Sequence, residues 1–276
     1  MEEVKKKIHF TKFWKPNIQD DVLLFKGHFN TFEFDKHAHE EYTLTLVHDG
    51  NMTAYLDGCS QKFTKSTILT INPDKIHACK TYDEEGYNYT SLYFNHDVIK
   101  ELSKDEFKSS KLHFDKTTLF NQSIYNKLAY LVSNEEQGLI SKLEFEVGLI
   151  EALKSIFILN TSRTSVKSIS SHDKLVSKAK EYINDNFFIN LSLDDIALEL
   201  DISKYHFLRL FKQKTHFSPH EYLMNRRLEK AKQSLQKGES IINTAYSCGF
   251  NDQSHLHRRF KSTMGMTPKN YQDFFI

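Results

Sequence analysis

Cysteine is scarce in this chain: Cys59, Cys79 and Cys248 are odd in number, far apart, and form no Cys-x-x-Cys pair. That argues against a disulfide framework and against a zinc ribbon. No run approaches the roughly 20 apolar residues that carry a helix across a bilayer. The charged opening Met1–Lys7 leads into no apolar stretch of the kind a secretory signal needs. The expected location is a reducing cytoplasm, with no membrane partner. A nucleophile triad, a glycine-rich phosphate loop and a complete metal-ligand set are also missing. No cofactor and no enzymatic activity are therefore expected.

Strong charge of either sign is lacking too, since 37 Lys+Arg face 36 Asp+Glu for a net +1. The balance is uneven along the chain. From His172 to the end there are 16 Lys+Arg against 12 Asp+Glu, whereas the remainder has 21 against 24. The mild basic excess of the C-terminal part points toward a polyanion, although scattered surface charge also gives splits of this size. A length of 276 residues suits two domains better than one.

The pattern along the chain changes period. Val22–Phe25, Tyr42–Val47, Met52–Leu56 and Ser66–Ile71 are short runs rich in β-branched or aromatic residues. Asp49-Gly50 and Asp57-Gly58 lie between such runs, where tight hairpins need residues that accept positive φ. An antiparallel sandwich or barrel follows. Ile124, Leu128, Leu131 and Val132 then recur at helical spacing, as do Leu143, Val147, Ile150, Lys154 and Phe157. These predict helices at about 121–135 and 141–159, with stripes expected to be core. Seven of the twelve residues from Asn160 to Ser171 are Ser or Thr, which marks a linker. The expected domains are 1–160, a linker at 161–172, and 173–276.

The last of these contains one pattern twice. Ala197 matches Ala245 at an offset of 48, and after the extra residue Asn251 the offset is 49. Arg209 then matches Arg258, Phe211 matches Phe260, Lys212 matches Lys261, Pro219 matches Pro268, and Tyr222 matches Tyr271. So many coincidences in one register indicate a duplicated structural unit.

Each copy reads as helix, tight turn, helix. In the first, Ser192 caps a helix to about Leu200 with Asp195 at the capping-box position. The turn falls at Asp201-Ile202, and Ser203 caps a second helix through Lys214. Phe207, Leu210, Phe211 and the Lys214 stem define its inner stripe. In the second copy Ser240 starts a helix through Cys248, Gly249 turns the chain, and Asp252 caps the next helix. Ser218-Pro219-His220-Glu221 opens a connecting helix to roughly Gln236.

An α-helix is about 10–12 Å across and the major groove of B-DNA about 12 Å wide. Arg can pair guanine O6 and N7, and Gln adenine N6 and N7, each through two bonds. Arg209, Arg258 and Gln253 stand on the early exposed turns, with Lys212 and Lys261 a turn later, suited to phosphate. The expected partner is double-stranded DNA.

On these residues the chain resembles the AraC/XylS family of transcription regulators. The resemblance covers nearly all of Lys174 to Tyr271. It rests on Ala197, Phe211-Lys212, Ser218-Pro219, Tyr222, Arg227-Leu228, Ala231 and Leu235. The second copy adds Ala245, Gly249-Phe250, Phe260-Lys261, Gly265, Thr267-Pro268 and Tyr271. It implies DNA-reading positions at Tyr205, Leu208 and Arg209, and at Gln253, Ser254, His257 and Arg258. Three departures stand out. His216 replaces the usual Gly after the first reading helix and is expected in a left-handed cap. Gln272 stands where Arg is common, which removes a positive contact. Leu208 is less polar than usual, which suggests contact with a thymine methyl or no base contact.

The resemblance also implies a cupin-like N-terminal sensor barrel, giving an α+β chain: barrel, two helices, then an all-α domain with two helix-turn-helix units joined by a linker helix. His37-Ala38-His39 and Pro73-Asp74-Lys75-Ile76-His77 look like the two cupin half-motifs. The carboxylate of cupin metal sites is absent, Thr43 and Leu44 standing there, so no metal is expected. His37, His39, Glu41 and His77 line an effector pocket or are satisfied structural groups. The polar alternation Asp35, His37, His39, Glu41, Thr43, Thr45 on one expected strand face favours a polar or sugar-like effector. The family further implies activation, RNA polymerase as a possible partner, and a homodimer, with Leu143, Val147, Ile150 and Phe157 as interface candidates. The competing readings are a metal-dependent cupin enzyme with an appended helical domain and a protein-interaction adaptor whose repeats have lost DNA binding.

Overall fold

Short β-branched and aromatic runs become antiparallel strands in the computed structural model, which describes residues 8–16, 22–30, 32–56, 58–80, 86–95, 97–98, 113–160 and 171–276. The strands are β1 (Ile8–Trp14), β2 (Val22–Phe29), β3 (Tyr42–Gly50), β4 (Met52–Leu56), β5 (Cys59–Phe63), β6 (Ile68–Ile71), β7 (His77–Lys80), β8 (Tyr87–Phe94) and β9 (Thr118–Leu119). They form a six-stranded sheet in the order β1-β2-β8-β3-β6-β9 and a three-stranded sheet in the order β5-β4-β7. Burial raises the Tyr87 and Tyr89 phenols of β8, and Cys79 of β7 is near enough to raise them further, so the small sheet faces the large one. This is the cupin-like barrel expected.

Register decides which side chains point inward, because neighbours along a strand alternate faces. Leu44 and Leu46 of β3 share one core with Val22, Leu24, Ile68 and Leu92 and with two helices, α1 (Gln122–Glu136) and α2 (Lys142–Asn160). Thr43 and Thr45 therefore lie on the opposite, inward face, paired with Tyr93 and Ser91. The Asp49-Gly50 hairpin is corrected. β3 pairs with β6 and β8 while β4 pairs with β5 and β7, so the chain passes there from one sheet to the other. The β4–β5 turn does form, Leu56 pairing with Cys59 around Gly58; Asp57 lies outside the described residues.

Side chains tie α1 to the sheet. The Tyr125 hydroxyl donates to the Val47 carbonyl at 3.1 Å and meets His48 Nδ1 at 2.8 Å. Glu136 receives Lys12 at 3.1 Å and Lys26 at 2.8 Å, and Trp14 Nε1 donates to Glu135 at 2.6 Å. Burial opposes the Glu136 charge, yet the bonds from Lys26 and Lys12 outweigh it and hold the carboxyl below its ordinary range. At the end of α2, buried Asn160 donates to Thr70 Oγ1 and the Lys116 carbonyl and accepts from the Lys116 amide. The last helical residue is thus anchored before the Ser/Thr-rich stretch, of which 161–170 lie outside the described residues.

The face of α2 is a second correction. Phe145, Leu149, Ala152, Leu153, Ile156 and Phe157 are its core side, whereas Leu143, Val147 and Ile150 are exposed. The helix is apolar nearly all round, so spacing alone does not identify its buried stripe.

Contacts divide the chain into two compact units, Met1–Phe34 with Ala38–Arg163, and Asp35–His37 with Thr164–Ile276. The second is helical: α3 (Ser171–Asp185), α4 (Leu193–Glu199), α5 (Lys204–Thr215), α6 (Pro219–Gln236), α7 (Ile241–Ser247), α8 (Gln253–Met264) and α9 (Pro268–Gln272). Ser171 and His172, read from sequence as linker, belong to α3. Phe207 and Phe211 of α5 and Leu256 and Phe260 of α8 are buried at matching positions, and Leu210 of α5 is buried where α8 has the half-exposed Arg259. Lys214 is not part of that inner stripe, for it reaches out to Asp173 at 2.7 Å.

Candidate functional site

Each helix-turn-helix is set by local chemistry. Ser192 and Asp195 form the reciprocal capping box of α4, and Ser218 and Glu221 that of α6 behind Pro219. Ser203 caps α5 by accepting from the His206 amide, and Asp252 caps α8 by accepting from the His255 amide. The turns repeat as closely. The Ile202 amide donates to the Ala197 carbonyl at 3.1 Å, and the Phe250 amide to the Ala245 carbonyl at 2.9 Å. This six-residue closure satisfies a helix-end carbonyl and turns the chain into the next helix. Both alanines are buried where the paired helices meet.

The helix ends match as well. His216 takes φ 58° and donates its amide to the Lys212 carbonyl, while Gly265 takes φ 73° and donates to the Lys261 carbonyl. The left-handed histidine cap expected from sequence is present. Arg227 of α6 joins the two halves: Nε donates to the Phe187 carbonyl and Nη2 to the Ile189 carbonyl, each at 2.7 Å. A Cβ on Gly249 would lie 2.8 Å from the Phe188 carbonyl oxygen, so the second turn sits directly against this loop.

With the inner faces consumed, the outer ones are clear. Tyr205, Leu208, Arg209 and Lys212 on α5 are exposed, Tyr205 to 77%. Gln253, Ser254, His257, Arg258 and Lys261 on α8 are exposed in the same register. A guanidinium, an amide and hydroxyls on early turns, with an ammonium one turn on, form a donor set for base edges and phosphates. His255 lies half-buried beside Phe250, its ring 5.4 Å away. That burial, reinforced by Arg259 and Arg258, pushes its imidazole below the usual histidine range. Gln272 makes no outward contact. It is buried and donates to the Glu239 carbonyl at 2.7 Å, tying α9 to the α6–α7 connection.

Within the barrel, residues distant in sequence meet. The His39 and His77 rings stand 4.9 Å apart, and Tyr93 approaches His39 edge-on at 5.1 Å. His77 Nδ1 donates to the Lys75 carbonyl at 2.9 Å, which fixes its tautomer. The pair could hold a polar ligand or serve a metal through ring nitrogens. His37, which groups with the helical unit instead, is buried and donates Nδ1 to the Asp35 carbonyl at 2.7 Å; Glu41, of the barrel unit, is half-buried. The expected strand face through His37, His39 and Glu41 is corrected, because β3 begins only at Tyr42. Thr45 hydrogen-bonds Ser91 at 2.7 Å, and Thr43 Oγ1 and Tyr87 Oη are buried without a hydrogen-bond partner among the described residues.

An aromatic cluster missed in sequence fills one end of the interior. Phe25, Phe29, Phe34, Tyr87 and Tyr89 interlock with ring centroids 5.0–6.3 Å apart. The signal available was the density of Phe and Tyr in β2 and β8 at alternate positions. Burial pushes the Cys79 thiol up to about 12, leaving it an inert thiol among these rings.

Of the interface candidates, Leu143, Val147 and Ile150 form an exposed apolar row. Phe157 does not join them. It is buried against Phe114, ring centroids 4.6 Å apart, and is core.

Comparison with known proteins agrees with both halves. Residues 21–150 match the profile of an AraC-like ligand binding domain, and residues 196–273 that of a helix-turn-helix domain. The HTH-type transcriptional regulator YbfI of Bacillus subtilis is 29% identical over 247 residues, covering 87% of each chain. The HTH-type transcriptional activator RhaS of an Enterobacter strain is 22% identical, covering 86% of each. The fold resembles apo ToxT K231A of Vibrio cholerae, with a TM-score of 0.62 at 17% identity over 94% of this chain and 99% of that one. Another ToxT structure holds an unsaturated fatty acid.

Proposed function

Because the chain belongs to the AraC/XylS family of transcription regulators, we propose that it reads a duplex operator with α5 and α8 under the control of a small molecule in its barrel. One observation carries the reading: Tyr205, Leu208, Arg209 and Lys212 of α5 are exposed at the same repeat positions as Ser254, His257, Arg258 and Lys261 of α8, with Gln253 exposed beside them, while Phe207, Phe211, Leu256 and Phe260 are buried. Arg209 and Arg258 pair guanines, Gln253 an adenine, and Leu208 packs on a thymine methyl. Tyr205, Ser254 and His257 complete the groove contacts, and Lys212 and Lys261 hold phosphates.

The effector contacts within the barrel unit are His39, His77 and Glu41, with the inward hydroxyls of Thr43, Thr45, Ser91 and Tyr93. Those hydroxyls and imidazoles favour a polar, sugar-like molecule. The fatty acid of ToxT represents the opposite chemistry. Two copies pair through Leu143, Val147 and Ile150 of α2, which would relieve an exposed apolar row. The likeness to RhaS, an activator by name, supports activation and hence contact with RNA polymerase. The chain acts without catalysis, in the cytoplasm where its DNA target resides; no helix among the described residues is long and apolar enough to cross a membrane.

Equilibrium binding to duplexes selected from a random library tests the reading. Affinity should fall steeply with salt as counterions are released, and a ligand that raises thermal stability should shift it. Equal operator affinity with and without every stabilising ligand would remove the sensor role. Absence of any selected duplex would leave the adaptor reading in its place.

A further inference from the structure

The two helix-turn-helix units share one register but differ where the leading helix meets the reading helix. In the first, the Asp194 carboxylate on α4 holds the Lys204 ammonium through both oxygens, at 3.0 and 3.2 Å. At the repeat offsets of 48 and 49 the counterparts are Ile242 and Gln253, neither of them charged. Between the caps Ser192 and Ser203 the first unit carries Asp194, Asp195, Glu199 and Asp201 and no basic residue. Between the caps Ser240 and Asp252 the second unit carries no charged residue at all.

In a helix-turn-helix complex the leading helix crosses the DNA backbone while the second helix lies in the groove. A carboxylate on the leading helix therefore faces a phosphate track. Lys204 opens the reading helix beside Tyr205, and its side chain retains 42% exposure while that of Asp194 retains 72%. We propose that Lys204 is a further DNA contact of the first unit and that Asp194 restrains it, so that the second unit supplies the larger share of the attraction to phosphate.

This rests on the DNA-binding reading above. To reach a phosphate, Lys204 exchanges one anionic partner for another. An exposed ion pair of this kind is weak, so the exchange itself is easy. What opposes binding is the Asp194 charge left close to a polyanion.

The test is equilibrium binding of the full chain to one selected duplex across a range of salt concentrations, with thermal unfolding as a check on folding. Asp194→Asn should tighten binding several-fold at low salt. Lys204→Gln should weaken it and lower the salt slope by about one. The reciprocal graft Ile242→Asp, at an exposed position, should weaken binding through the second unit. The proposal is overturned if Asp194→Asn binds no tighter than wild type, or if Lys204→Gln keeps the full salt slope. A wild-type chain that binds no duplex would instead overturn the DNA-binding reading itself.

Discussion

Asp201 and His216 occupy in the first helix-turn-helix unit the left-handed positions that Gly249 and Gly265 occupy in the second. The hydrogen bonds closing the turns are nevertheless the same, to Ala197 and Ala245, and to Lys212 and Lys261. The left-handed conformation alone therefore does not require glycine at these corners, and the geometry is imposed by the buried helix pair. The units differ in tolerance. The first has room for a Cβ at its turn, whereas the second has the Phe188 carbonyl pressed against Gly249. A second contrast lies one turn into the leading helix, where buried Ile196 of the first unit corresponds to buried Thr244 of the second, whose hydroxyl has no partner among the described residues.

These differences can be broken one at a time. Gly249→Ala should have the largest effect, destabilising the helical unit by about 3 kcal/mol in chemical denaturation, since strained φ adds to a backbone clash. Asp201→Gly at the matching corner should change stability far less. If the two behave alike, the loop contact at Gly249 is not what separates the units. Thr244→Val keeps the shape and removes an unsatisfied buried hydroxyl, so a gain of about 1 kcal/mol is expected. A loss would show that the hydroxyl is bonded in solution. His216→Gly should give the smallest change, a gain of about 0.5 kcal/mol, because relief of the left-handed strain is offset by the greater freedom of glycine in the unfolded chain. Destabilisation there would mean that the imidazole itself supports the cap.

The helical unit was readable from sequence because its signals are local. Caps, turn residues and inner stripes lie within a few residues of what they specify, and duplication let each copy check the other. The barrel was less readable because its determinants are distant contacts. Nothing near Asp49-Gly50 announces that β3 and β4 belong to different sheets, for that depends on β8 and β7 reaching them. The polar alternation from Asp35 to Thr45 suggests a strand, yet tertiary packing lets β3 start only at Tyr42. In α2 the apolar residues nearly encircle the helix, so periodicity placed Leu143, Val147 and Ile150 in the core, where Phe145, Leu149 and Ile156 are found. Lys204 escaped notice because its partner Asp194 belongs to the preceding helix.

The central claim is that outward side chains of two duplicated helices read bases. Its most direct test is to select duplexes from a random library with wild type, Arg209→Ala and Arg258→Ala, and to compare base preference position by position. Each variant should lose guanine preference at its own half-site, by about 1–3 kcal/mol, the two half-sites lying about one helical turn apart. Uniform weakening across all sequences in both variants would contradict the account and reduce both arginines to phosphate anchors.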